Sequence, residues 1–384
     1  MLNVIAKCQN NTVVASVEGR IDSSNAAELD EKLAEIDTLE RLVLDFEKLE
    51  YTSSAGLRAI LKYRKKHADL EIINVSPDVY EVFDMTGFTE MMKVKRAYRT
   101  ISIDDAEVIG QGANGKVYRI DPDTVVKVYL NPDSLADIEH ERDVARKALV
   151  LGIPTAISYD VVKVGDHYAS MFEMLNAKSF SKLIKANPAE VDKYAVMYVD
   201  LLKLIHSTEV PAGQLPDQKD VLDKWMRDLD GKLPADVYEK LKKMTDEIPH
   251  DNHMIHGDYH TKNIMMQNDE VILIDMDTLA VGHPILEFAS IYNAYIGFYL
   301  LDKEAIKDFL GFDYDTAQRL WKDTLRLYYG TEDETILAMR EKQAATVGII
   351  RLYRRALRRG GESEFTECCK AELCRLAGEL ETLL

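Results

Sequence analysis

The feature that most restricts this chain is a spacing of polar residues late in the sequence. It reads His256-Gly257-Asp258-Tyr259-His260-Thr261-Lys262-Asn263, with Ile274-Asp275-Met276-Asp277 following a short apolar stretch. A carboxylate, an asparagine five residues on and a second carboxylate beyond a hairpin-length segment form a set of hard oxygen donors and a base. Asp258 can take the proton of an attacking hydroxyl. Asn263 and Asp275 can hold Mg²⁺, which prefers oxygen ligands. A polar turn between strands is the bland alternative, and what stands upstream argues against it.

Upstream lies Gly110-Gln111-Gly112-Ala113-Asn114-Gly115-Lys116-Val117-Tyr118, between two strand-like segments. Glycines let backbone N–H groups approach phosphate oxygens with no Cβ in the way. A plain hairpin turn would read the same, and no helix follows directly as a dinucleotide-binding turn requires. Lys127 comes next, flanked by Val126 and Val128 in a strand. It suits a cation for α- and β-phosphates held by a helix carboxylate, with Glu141 as partner and Glu139 as the alternative; a solvated strand lysine is the other reading.

Length and composition agree with a folded chain of more than one domain. The 384 residues are 46% hydrophobic and 30% charged, which is globular and long for one domain. The 48 basic against 66 acidic residues give a net charge of −18, most of it beyond residue 100. A general nucleic-acid surface needs the opposite sign, so no nucleic-acid partner is expected. Cys8, Cys368, Cys369 and Cys374 make no zinc spacing and read as free thiols. The N-terminus has no signal-peptide pattern. The longest uncharged run, Phe288 to Leu301, falls short of the ~20 residues a membrane span needs. A cytoplasmic protein with no membrane partner is the expectation.

Residues 1 to about 100 alternate strands (12–19, 41–46, 70–75) with helices, which suggests a sheet covered by helices. Asp22, Ser23 and Ser24 are candidate caps for the first helix, and Pro77 suits the first turn of the third. From Thr100 strands and turns lead into a charged helix, a strand pair and then mainly helices. Near the C-terminus Arg351, Arg355 and Arg358 share a helix face. That face reads as solvated or salt-bridged, with an anion or partner site as the alternative.

From about 101 to 384 the chain resembles the aminoglycoside phosphotransferase and choline kinase branch of the protein-kinase-like fold, carried by HGDYHTKN, the glycine loop and the strand lysine. The resemblance implies two lobes, 101–176 and a largely helical 177–384. It implies ATP bound at Gly110, Gly112, Gly115, Val117 and Lys127, with backbone groups of Glu173 and Leu175 on the adenine. Asp258 would be the catalytic base, Lys127 and Glu141 the orienting ion pair, and Asn263 and Asp275 the Mg²⁺ ligands. Glu287 stands where an aspartate commonly braces the catalytic loop, and His283 replaces an acid. Lys262 adds a cation beside Asp258.

Residues 1–100 resemble the STAS domain of anti-sigma-factor antagonists, a mixed sheet with helices on one side. Val17 to Asp22, Leu44-Asp45-Phe46, Tyr51 to Arg58 and Phe83 to Phe88 carry the likeness. It implies Ser54 as a phosphosite at a helix start, where N–H groups favour phosphate; an ordinary capping serine is the alternative. The expectation is therefore an α+β / α/β two-domain kinase using ATP and Mg²⁺. It would act on the hydroxyl of an amino sugar or amino alcohol, with an anti-sigma-like protein partner through the STAS domain. Phosphorylation of a protein serine such as Ser54 is the alternative function.

Overall fold

The computed structural model describes residues 2–9, 12–35, 41–112, 115–300 and 302–384. Ala113 and Asn114, at the tip of the glycine-rich turn, lie outside them. The chain divides into two compact units, Met1–Asp104 with Val161–Tyr168, and Asp105–Asp160 with Ala169–Leu384.

The first unit holds strands β1 (Asn3–Gln9), β2 (Thr12–Ile21), β3 (Arg41–Asp45), β4 (Leu49–Thr52), β5 (Glu71–Val75) and β6 (Lys93–Arg96). Its helices are α1 (Ala26–Ala34), α2 (Ser54–Lys66), α3 (Pro77–Met85) and α4 (Phe88–Met91). The sheet order is β1-β2-β3-β5-β6, with β4 also on β2. Only β1 runs antiparallel to its neighbour, so the sheet is mixed. In β2 every second residue, Val13, Ala15 and Val17, is buried, as a strand with one covered face requires. In β3 Leu42, Val43 and Leu44 are buried in succession, the mark of a strand covered on both faces.

Helix α2 starts at a Ser53 cap, whose hydroxyl accepts from the Ala55 N–H at 3.2 Å. It buries Leu57, Ile60 and Tyr63 and ends on Arg64, Lys65 and Lys66, which suit the negative end of its dipole. Pro77 occupies the first turn of α3, as expected. The start of α1 differs from expectation. The capping position is Asn25, whose side chain makes no cap bond, while Asp22 Oδ1 accepts from Ser24 N–H at 2.8 Å. Asp22 closes a turn on Ser24 and so is not available to the helix N–H groups.

The second unit begins with β7 (Glu107–Gln111), β8 (Gly115–Asp121) and β9 (Thr124–Tyr129), then α5 (Leu135–Val150). β11 (His167–Glu173) belongs to this unit from Ala169 on, whereas β10 (Asp160–Val164) falls in the first unit from Val161 on. β8 pairs antiparallel with β7 and β9, and β9 with β11. Helices α6 (Phe180–Ala186), α7 (Val191–Ser207), α8 (Gln218–Asp228) and α9 (Ala235–Asp246) follow a short β12 (Lys178–Ser179). Then come β13 (Met254–Ile255), β14 (Ile264–Gln267), β15 (Glu270–Leu273) and β16 (Ala280–Val281). Five more helices complete the chain: α10 (Pro284–Tyr295), α11 (Ala305–Leu310), α12 (Tyr314–Tyr329), α13 (Glu334–Gly360) and α14 (Glu364–Glu379).

Every residue of α10 from Ile285 to Tyr295 is buried. A helix buried on every side belongs in the centre of a bundle, which explains the uncharged run that starts at Phe288. No described helix is long and apolar enough to cross a membrane.

Candidate active site

Two groups of side chains meet in the second unit. The first is built on β9 and α5. Lys127 Nζ lies 3.0 and 3.1 Å from the two carboxylate oxygens of Glu141 and 3.0 Å from Asp275 Oδ1. Glu141 is thus the partner, not Glu139. Burial alone would lower the Lys127 pKa, but Glu141 and Asp275 outweigh it and the ammonium is held charged. Tyr129, two residues along the same strand, donates its hydroxyl to Glu141 Oε2 at 2.5 Å. Sequence reasoning missed Tyr129; the period-two alternation that puts residues 127 and 129 on one face was the available signal.

Val117 pairs with Lys127 across β8 and β9, so the glycine-rich turn is next to the ion pair. The glycines answer to different demands. A Cβ at Gly115 would come within 2.5 Å of the Val128 carbonyl, a packing requirement. At Gly112 it would meet nothing within 4 Å, so open space lies over that backbone. Gly110 faces Val117 at ordinary distance. Glu173 closes β11, and the next N–H, of Met174, donates to the Asp123 carbonyl at 2.8 Å. Leu175 follows outside the strand.

The second group is the loop from 256 to 263. Asp258 lies in an open cleft, with 44% of its side chain accessible. Burial would raise its pKa, but the hydrogen bond from His260 at 3.4 Å and the charges of His260, Arg351 and His256 hold it down at about 2. Asn263 Nδ2 donates to the Asp258 carbonyl at 3.0 Å, which leaves its Oδ1 as a free acceptor position. His256 positions the loop: its ring bonds Asp258 N–H and the Ile274 carbonyl, each at 3.3 Å. Lys262 is exposed and lies over the Phe309 ring at 4.8 Å.

The loop is clamped from both sides. Fully buried Glu287 accepts from the N–H groups of His256 and of Gly257, the latter at 3.1 Å. Arg351 of α13 donates to the Gly257 carbonyl at 3.0 Å. Gly257 is required here, because its φ is +80° and a Cβ would sit 2.6 Å from the Thr278 carbonyl. His283 caps α10 through its Nδ1, which accepts from Ile285 N–H. Of the arginine face, Arg354 pairs with Asp228 at 2.6 Å, while Arg351 turns to the loop.

Asp277 joins the two groups. Burial, then the charges of Asp275, Glu141 and Asp258, push its carboxyl up to about 7. Asp275 itself adopts left-handed backbone, φ 63° and ψ 63°, a conformation that costs an L-residue free energy and recurs at functional sites. The region therefore concentrates negative charge around one ammonium.

Ser54 is the first residue of α2 and is exposed, while Ser53 does the capping. The four cysteines are free thiols.

Comparison with known proteins follows the same division. A STAS domain model matches residues 3–101. A curated Bordetella bronchiseptica protein named as a candidate anti-sigma factor antagonist, BtrV, is 38% identical over 88 residues, 21% of this chain and 76% of that protein. Among solved structures, aminoglycoside phosphotransferase APH(4)-Ia matches with a TM-score of 0.50 at 13% identity, over 71% of this chain and 93% of that one. At that identity the likeness is one of fold. ADP-bound APH(2'')-Ib is similar at 0.48 and 14%, over 79% and 97%. A model of the phosphotransferase enzyme family matches residues 105–320, more than half of the chain. The chain is a member of the phosphotransferase enzyme family that carries a STAS domain at its N-terminal end.

Proposed function

We propose that this protein transfers the γ-phosphoryl group of ATP to a hydroxyl of a small-molecule acceptor, with residues 1–100 as a regulatory or docking domain and 101–384 as the kinase. The observation that carries the reading is the Lys127 ammonium bridging Glu141 and Asp275 in the unit that also holds Asp258 ionised in an open cleft. Lys127 is the cation for the α- and β-phosphates, and Glu141 fixes its direction. Gly110, Gly112, Gly115 and Val117 cover the nucleotide, and the backbone of Glu173 and Leu175 receives adenine. Asp258 orients the acceptor hydroxyl and takes its proton. ATP as co-substrate rests on the match to the phosphotransferase family model over residues 105–320.

The residues fit Mg²⁺. Asn263 Oδ1 and the Asp275 carboxylate are hard donors, and the buried acidity that raises Asp277 is what a dication relieves. Among the described residues no three His, Cys, Asp or Glu side chains form a complete metal cage. When bound, Mg²⁺ would neutralise phosphate charge.

The amino sugar or amino alcohol class rests on overall acidity, a property of the whole surface and not of the site. A second reading has one observation in its favour. Ser54 is exposed at a helix start in a domain 38% identical to a candidate anti-sigma factor antagonist, so a STAS serine is a conceivable acceptor.

The test is incubation with Mg²⁺-ATP, followed by intact mass and phosphosite mapping, with Asp258→Asn as control. Asp258→Asn should abolish transfer and spare nucleotide binding; full activity in that variant overturns the role of Asp258. Phosphate on Ser54 that depends on Asp258 would favour the second reading.

A further inference from the structure

A cavity of about 280 Å³ opens beside the 256–263 loop. Its lining includes His140 of α5, Val221 and Trp225 of α8, Gly257, Asp277 and Arg351 of α13. Arg351 and Asp277 are its formally charged groups. The volume suits an acceptor of a few carbons and not a multi-ring sugar.

Arg351 spends one N–H on the Gly257 carbonyl and lies 5.8 Å from the centre of the Trp225 ring. No carboxylate among the described residues forms an ion pair with it. Arg355, one turn further on, is exposed and has no such partner either. Burial first, then Arg359 and Arg351, lower its pKa, and Asp258 opposes them. Arg355 shares a face of α13 with Arg351, four residues along the helix. Arg354, three residues beyond Arg351, is paired with Asp228. Two planar guanidinium groups on one helix face, neither held in an ion pair among the described residues, form a receptor for an anion.

We infer that the acceptor carries an anionic group, carboxylate or phosphate, close to the hydroxyl that is phosphorylated, and that Arg351 and Arg355 receive it. This rests on Asp258 marking the acceptor side of the site, and it departs from the amino-sugar class that net charge suggests. Net charge acts over the whole surface, whereas the cavity presents the Arg351 guanidinium at contact range, where charge-assisted hydrogen bonds act.

The experiment uses four compounds on one three-carbon skeleton: glycerol 3-phosphate, glycerate, glycerol and 3-aminopropane-1,2-diol. Trp225 supplies the readout, since a ligand at Arg351 changes its surroundings. Emission of the full chain is titrated in saturating ADP, so that phosphate-site binding does not contribute, with Trp225→Phe as the control for Trp321. One or both anions should bind about tenfold or more tighter than glycerol, as a charge-assisted contact implies. The better of the two anions names the group. Arg351→Gln and Arg355→Gln should each remove most of that preference, and Arg355→Gln should leave glycerol unchanged. Arg355 touches no backbone group of the loop, so its variant tests the idea even if Arg351→Gln disturbs folding. Tightest binding by the amine, no saturation by either anion, or anion binding indifferent to both arginines would each overturn the inference. The kinase reading is judged separately, by displacement of a fluorescent ATP analogue. A chain that binds glycerate and not ATP keeps the anion site and loses the proposed activity.

Discussion

Glu287 and Gly257 are joined by a hydrogen bond of 3.1 Å between a fully buried carboxylate and a backbone N–H. The same carboxylate also holds the His256 N–H. Burial raises the Glu287 pKa, against the pull of His256 and these N–H donors. Replacing Glu287 by Ala would strand both donors without water. The expected loss is about 2–6 kcal/mol, at 1–3 kcal/mol for each unsatisfied group. Urea unfolding would measure it. Glu287→Asp should lose less stability and still lower turnover, because a shorter arm cannot reach both N–H groups without moving the loop.

Lys127 is the counter-ion of two carboxylates. Lys127→Met should lower kcat/KM for ATP by about a hundredfold or more, in the range seen when one stabilising charge is removed from an active site. Glu141→Gln should give a smaller loss, since Lys127 would keep Asp275. Steady-state kinetics on the pair of variants checks the order of the two effects.

Three glycines should separate packing from ligand approach. Gly56→Ala would place a Cβ 2.5 Å from Thr52 Oγ1 and 2.6 Å from Ile21 Cγ2, both on buried residues. A cost of about 1–3 kcal/mol is expected, as for other overpacked cores. Gly115→Ala should also destabilise, against the Val128 carbonyl. Gly112→Ala should leave the melting temperature unchanged and raise KM for ATP. Thermal melts with and without ATP distinguish the three.

His206 gives the second unit an acid sensitivity. Its ring is buried, bonded at 2.8 Å to the Tyr328 hydroxyl, and burial, then the charge of His283, hold its pKa down at about 3. Below the ordinary value of about 6.5 the unfolded chain takes up a proton that the folded chain refuses. Stability therefore falls as pH drops from about 6.5 toward 3, by up to 1.4 kcal/mol for each pH unit. His206→Gln should flatten the melting temperature between pH 6.5 and 4.5. An unchanged slope would place the acid sensitivity elsewhere.

The site was legible in the sequence to the extent that chemistry fixes spacing. Asp258 and Asn263 sit on one loop, so their separation along the chain is their separation in space within a turn. Lys127 and Asp275 are 148 residues apart, and only resemblance to a known fold could join them. Arg351 was visible as part of a charged helix face. Its contact with Gly257 was not, because helical period says which residues share a face and nothing about what the face meets. The cap at Asn25 was misread for a similar reason. Asp22, Ser23 and Ser24 are all good capping residues, and the choice among caps and turns is settled by tertiary position.

Arg351 also bears on how this protein can be cut. The match to the phosphotransferase family model ends at residue 320, yet the arginine that fastens the Gly257 carbonyl is thirty-one residues further on, in α13. The boundary drawn by resemblance and the boundary drawn by mechanics do not coincide. A fragment trimmed to the recognisable span would keep Asp258, Asn263 and Asp275 and lose one of the two fastenings that shape their loop. Its inactivity would then say nothing about whether those residues are competent.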